Sequence, residues 1–165
     1  MSHSAHDPAH ERLRLPRWIR IWVYTLGPAC AGTGVLWLVF HHFVHREGPF
    51  GPEPHPFDHI WLVAHGIAGL AMLWVLGLVW LPHVRRGWTR PAHRLAGGTM
   101  AASMLWLAVS AAGLYYLGNE RAREATAIAH WLVGLFATAW LPLHISLGRR
   151  AMRRTSTSKA PATRR

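Results

Sequence analysis

Apolar residues run along this chain in four uncharged blocks, residues 21–44, 60–81, 95–117 and 125–147, each bounded by charged or proline-rich sequence. The blocks are 24, 22, 23 and 23 residues long. A bilayer core about 30 Å thick needs about 20 apolar residues at about 1.5 Å of rise each, so every block is long enough to span it as a helix. The first block is too long for a signal-peptide core and ends in His41, His42 and Phe43 instead of a small-residue cleavage site, so it is kept as the first helix.

The connections set the arrangement. The first carries four prolines between Gly48 and Phe57 and predicts an extended, non-helical loop. The other two are short, which favours packing of neighbours. The expected fold class is therefore all-α, an integral membrane four-transmembrane-helix bundle running up-down-up-down. Residues 16–150 form the transmembrane domain in this reading. The polar, His-spotted segment 1–15 and the basic tail 151–165 are expected to be disordered, because neither can bury enough apolar surface to offset ordering.

Charge orients the bundle. Of the 18 Lys and Arg residues, 15 lie before the first block, between the second and third, or after the fourth. The other two connections hold Arg46, Arg121 and Arg123 against Glu47, Glu53, Asp58, Glu120 and Glu124. The positive-inside rule then places both termini in the cytoplasm. The formal charge of +11 does not imply nucleic acid, because it is gathered at helix ends on one side. Trp18, Trp22, Trp61, Trp80, Trp88 and Trp131 fall near block ends, where amphipathic rings anchor at the lipid interface. Cys30 is the only cysteine, which excludes an intrachain disulfide and a Cys-x-x-Cys-His haem attachment.

The candidate chemistry lies in histidines at membrane depth, where a polar side chain is costly unless partnered. His65 and His83 are 18 residues apart on the second helix, about five turns, and so share a face. His130 and His144 are 14 apart on the fourth, about 21 Å along the axis and within about 40° of one face. Two parallel helices thus each present one histidine near either side of the membrane. Bis-imidazole haem ligation needs this, one neutral histidine from each of two facing helices. Gly66, Gly69 and Gly134, within about one turn of His65 and His130, and Gly97, Gly98 and Gly113 on the third helix, provide small residues for a flat macrocycle or for close helix packing. Helices two and four also look like a degenerate repeat. His65 and Gly69 with Trp80-Leu81-Pro82-His83 correspond to His130 and Gly134 with Trp140-Leu141-Pro142-Leu143-His144.

On these motifs, together with Gly113-Leu114-Tyr115-Tyr116 ending the third helix, the chain resembles the bacterial four-helix, di-haem b-type cytochromes that serve as membrane subunits of respiratory oxidoreductases. The resemblance covers roughly residues 20 to 150. It implies His65 and His130 as ligands of an outer haem b and His83 and His144 as ligands of an inner one. It further implies quinone or quinol and a redox partner protein as partners, and a bacterial inner membrane location. The spacings of 18 and 14 differ by four residues, about 6 Å on straight helices, so the pairs are not both level unless bending near Pro82 and Pro142 absorbs the difference. His41, His42 and His45 stand as alternative outer ligands, whereas His55, His59 and His93 read as solvated.

Two other functions compete, a transporter or metal-handling protein using these histidines for a transition metal, and a structural subunit without a cofactor. No block contains Asp or Glu, which weakens an ion pathway. No phosphate loop, nucleophile–base set or dinucleotide fingerprint points to a self-contained enzyme.

Overall fold

The computed structural model describes residues 15–88 and 94–157. It is an all-α four-helix bundle in which every helix is long and apolar enough to cross a membrane. Helix α1 is Arg17–Phe43, α2 is Pro56–Val79, α3 is Arg94–Tyr116 and α4 is Glu120–Thr157. The chain is a multi-pass membrane protein. Segments 1–14 and 158–165, with His93, lie outside the described residues.

Local chemistry marks the helix boundaries. His55 caps α2, its Nδ1 accepting from the Phe57 N–H at 3.2 Å, and Pro56 follows at the first helical position, where its missing N–H costs nothing. Asn119 caps α4 through its side-chain oxygen, 2.9 Å from the Ala122 nitrogen. α4 continues through Thr157, past the Arg150 at which the sequence reading ends the domain. Ala151, Met152, Arg153 and Arg154 are good helix formers, and adding turns to an existing helix needs no new nucleus.

The first connection is extended as expected, but its strands pair. β1 (His45–Gly48) and β2 (Gly51–Pro54) form an antiparallel hairpin with Arg46 opposite Glu53 and an ion pair of 2.9 Å between them. Pro52 and Pro54 are two residues apart, so their missing N–H groups fall on one edge while Gly51 and Glu53 keep theirs for the partner strand. Gly51 closes the turn at φ 117°, a conformation that a side chain would strain.

A second departure from regular helix follows α2. Trp80–Arg85 is a π-helix, ended by the turn Arg86–Trp88. Pro82 lies inside it. In an α-helix proline lacks the N–H for its own bond and its ring crowds the carbonyl four residues back; a wider i→i+5 turn relieves both. Pro142, in the matching position of α4, is accommodated without such a change.

α1 packs along α2, and α3 along α4, as two helical hairpins. α2 and α4 lie across the bundle from each other and are not packed neighbours. Among the described residues the buried apolar side chains are Ile19, Val75 and Ala137. Val75 lies between His65 and His83, and Ala137 between His130 and His144, so each buried side chain falls between the two histidine levels. The outside is apolar and open, as at Ile67, Leu70 and Val109, and suits lipid contact. Val75→Ala is expected to lower stability by about 1–2 kcal/mol through lost packing between those levels. Leu70→Ala, on the lipid face, should change it far less; denaturant titration in micelles checks the contrast.

Candidate functional site

The four intramembrane histidines come together as two pairs. The ring centroids of His65 and His130 are 6.3 Å apart with planes at 82°. Those of His83 and His144 are 6.0 Å apart at 87°. The first pair lies towards the β-hairpin end of the bundle and the second towards the end that carries the termini. Both pairs bridge α2, with its π extension, to α4, so imidazoles meet where the two backbones stay apart.

At the hairpin-end pair each ring leans on the other helix of its own hairpin. His65 Nδ1 is 2.9 Å from the backbone carbonyl oxygen of Cys30 on α1. A carbonyl only accepts, so Nδ1 carries the proton and, in the neutral ring, Nε2 is the bare lone pair. His130 Nδ1 is 2.8 Å from the hydroxyl of Ser110 on α3, a side chain buried to 4 % exposure. Gly34 makes room for the His65 ring. A Cβ there would lie 2.9 Å from Cε1 and 3.0 Å from Nδ1, closer than side chains tolerate.

The glycines singled out in the sequence divide. Gly69, one turn from His65 on the same face, has no atom within 4 Å of where a Cβ would stand, and leaves open space. Gly134 instead seats Leu107 of α3, whose Cδ2 would be 3.8 Å from its Cβ. Gly66 approaches the Tyr115 hydroxyl and Gly113 the side chains of Leu117 and Thr126. At the terminal end Gly97 faces His144, and Gly98 receives the Trp88 ring.

The alternative ligands lie elsewhere. His41 Nδ1 is 3.3 Å from Asp58 Oδ1 and its ring stacks on Trp37, while His42, His45 and His59 are exposed. Trp37 Nε1 and Trp61 Nε1 are buried N–H groups with no acceptor among the described residues. Trp61 precedes His65 by four residues and Trp37 follows Gly34 by three, so both lie about one turn from the His65 level towards the hairpin.

Gly34, Ser110 and the Cys30 carbonyl escaped the sequence reading. A carbonyl leaves no trace in the residue type; Gly34 and Ser110 were hidden among the many small residues of α1 and α3. The π segment takes up part of the 18-versus-14 difference in spacing. Its turns hold more residues per unit length, which draws His83 back towards the level of His144.

No protein-family model, curated protein or solved structure matches the chain. In a Cys30→Ala background, cysteine pairs at 65/130 and at 83/144 should each be joined by a short bis-alkylating reagent, whereas pairs at 65/144 and 83/130 should not; the mass of the intact protein checks this.

Proposed function

We propose that this protein is a membrane b-type cytochrome, holding haem b between His65 and His130 and a second haem b between His83 and His144, and relaying electrons between quinone and a redox partner. The observation that carries this reading is the meeting of two histidine pairs across helices whose backbones do not pack together.

The donor set fits the group. Metal–imidazole bonds are about 2 Å and a ring nitrogen lies about 1.1 Å from its ring centre, so two imidazoles on opposite sides of one ion have centroids about 6 Å apart. The observed separations are 6.3 and 6.0 Å. Edge-to-face contact alone spans about 4.5–7 Å, so the distance does not decide between them. The tautomer favours a ligand: with Nδ1–H given to the Cys30 carbonyl, His65 keeps a lone pair on Nε2, which inside a membrane needs a proton or a metal. The unmatched indole donors Trp37 Nε1 and Trp61 Nε1 suit the acidic edge of a porphyrin.

When bound, haem b supplies a one-electron iron couple. The chain's residues would hold it rigidly. Gly34 admits the His65 ring, the Cys30 carbonyl and the Ser110 hydroxyl orient the two imidazoles, and Val75 and Ala137 separate the two levels. Two protein ligands per site suit a metal whose remaining positions a macrocycle fills. The competing transition-metal reading has less support, since among the described residues no three His, Cys, Asp or Glu side chains converge as a tetrahedral site requires.

The 15 basic residues flanking one end favour a cytoplasmic position for both termini, in the inner membrane of a bacterium. Reporter fusions after Arg94 and after Arg150 should then read as cytoplasmic and one at Phe50 as external. A fusion with the reverse polarity would reject that orientation.

Purified protein should carry two non-covalent protohaems with a six-coordinate, low-spin spectrum. His130→Ala should remove the hairpin-end haem and His144→Ala the other, each leaving the remaining spectrum intact. A colourless preparation from haem-replete cells would overturn the reading. Reduced protein in vesicles should be reoxidised by a quinone analogue, and loss of that reaction in His65→Ala tests the relay.

A further inference from the structure

We infer that Ser110 is a positioning residue that sets the tautomer of His130, and through it the electron-donating strength of the hairpin-end ligand pair. This deepens the cytochrome reading and rests on it for its redox consequence, but the tautomer itself does not.

The inference follows from the single proton of a hydroxyl. Ser110 Oγ lies 2.7 Å from the Trp106 carbonyl oxygen, 3.2 Å from that of Leu107 and 2.8 Å from His130 Nδ1. Two oxygens approach to 2.7 Å only with a proton between them, and the carbonyl has none to give. The Ser110 hydroxyl therefore donates to Trp106, and its lone pairs face His130. Nδ1 of His130 must supply the proton of that contact, which leaves Nε2 bare in the neutral ring. His65 reaches the same state from the other hairpin through the Cys30 carbonyl.

The two supports differ in kind. The Cys30 carbonyl is backbone and persists whatever side chain stands there. The Ser110 hydroxyl is a side-chain acceptor that one substitution removes. A ring whose Nδ1–H is held by an acceptor is a stronger donor through Nε2, which stabilises the more positive oxidised metal. Ser110 would thereby hold the potential of the hairpin-end site low.

Ser103 provides the control. It is a serine on the same helix, buried to 7 % exposure, whose hydroxyl donates to the Thr99 carbonyl at 2.9 Å. The full chain, prepared without haem in micelles and labelled with ¹⁵N-histidine, reports the tautomer directly from ring nitrogen shifts in alkaline buffer. Wild type, Ser103→Ala and Ser110→Thr should show His130 as the Nδ1–H form, and Ser110→Ala should move it towards Nε2–H. In the haem-loaded protein Ser110→Ala should weaken haem retention by about tenfold. It should also raise the potential of the hairpin-end site above that of Ser103→Ala, with Ser110→Thr restoring both. An unchanged His130 tautomer in Ser110→Ala, or a potential equal to that of Ser103→Ala, overturns the inference. Failure of wild-type protein to take up haem refutes the cytochrome reading instead, and the tautomer measurement then judges Ser110 alone.

Discussion

An imidazole at membrane depth has two nitrogens to satisfy and no water to satisfy them, and the arrangement of this bundle follows from that requirement. At the hairpin end each ring gives one nitrogen to its own helical hairpin, His65 to α1 and His130 to α3. The other nitrogen is left for the space between the hairpins. Across that space the histidines of α2 and α4 meet ring to ring, with Val75 and Ala137 buried between the two levels. Ordinary membrane bundles associate through close packing of small residues along the whole interface. Here Gly34 makes room for an imidazole, while Gly134 and Gly98 seat Leu107 and Trp88.

The four helices thus divide their roles by diagonal. α2 and α4 present the histidines, and α1 and α3 present what orients them: a carbonyl and a ring-wide gap at Gly34 on one side, a hydroxyl on the other. In the proposed function this division keeps the ligands stiff without tying the two hairpins to each other through the protein alone. A polar group held at both nitrogens costs far less than one held at neither, so occupation of the inter-ring space would join the hairpins as well as create a redox centre.

The spans and the histidine pairing were legible in the sequence because both rest on periodicity. Uncharged blocks of 22 to 24 residues have one reading in a bilayer, and spacings of 14 and 18 place each helix's two histidines on one face. The pairing of the first connection was not legible. Its prolines argue against strands unless those within a strand, Pro52 and Pro54, fall on the outward edge, and that depends on register. Gly34 and Ser110 were equally hidden, since a glycine that clears a ring and a serine that accepts from one look the same in sequence as those that merely ease helix packing. The chain beyond Arg150 reads as a disordered tail because it has too little apolar surface to bury, whereas helix propensity and an existing helical end carry α4 on to Thr157.

The two halves of the bundle show how a repeat tolerates divergence. Both α2 and α4 carry Trp-Leu-Pro near the terminal end, yet the histidine follows the proline directly at His83 and one residue later at His144. That offset takes one residue off the five by which the path from His65 to Trp80 exceeds the path from His130 to Trp140, and the four that remain would leave the second pair about 6 Å out of level on straight helices. Proline cannot donate the bond that holds a regular turn, so the place where α2 is easiest to rewind is the place where rewinding is needed. The π segment at Trp80–Arg85 uses that weakness, and His83 and His144 meet at 6.0 Å. Pro142 stays within regular helix, so the departure from α geometry that bears on the second pair lies on the His83 side.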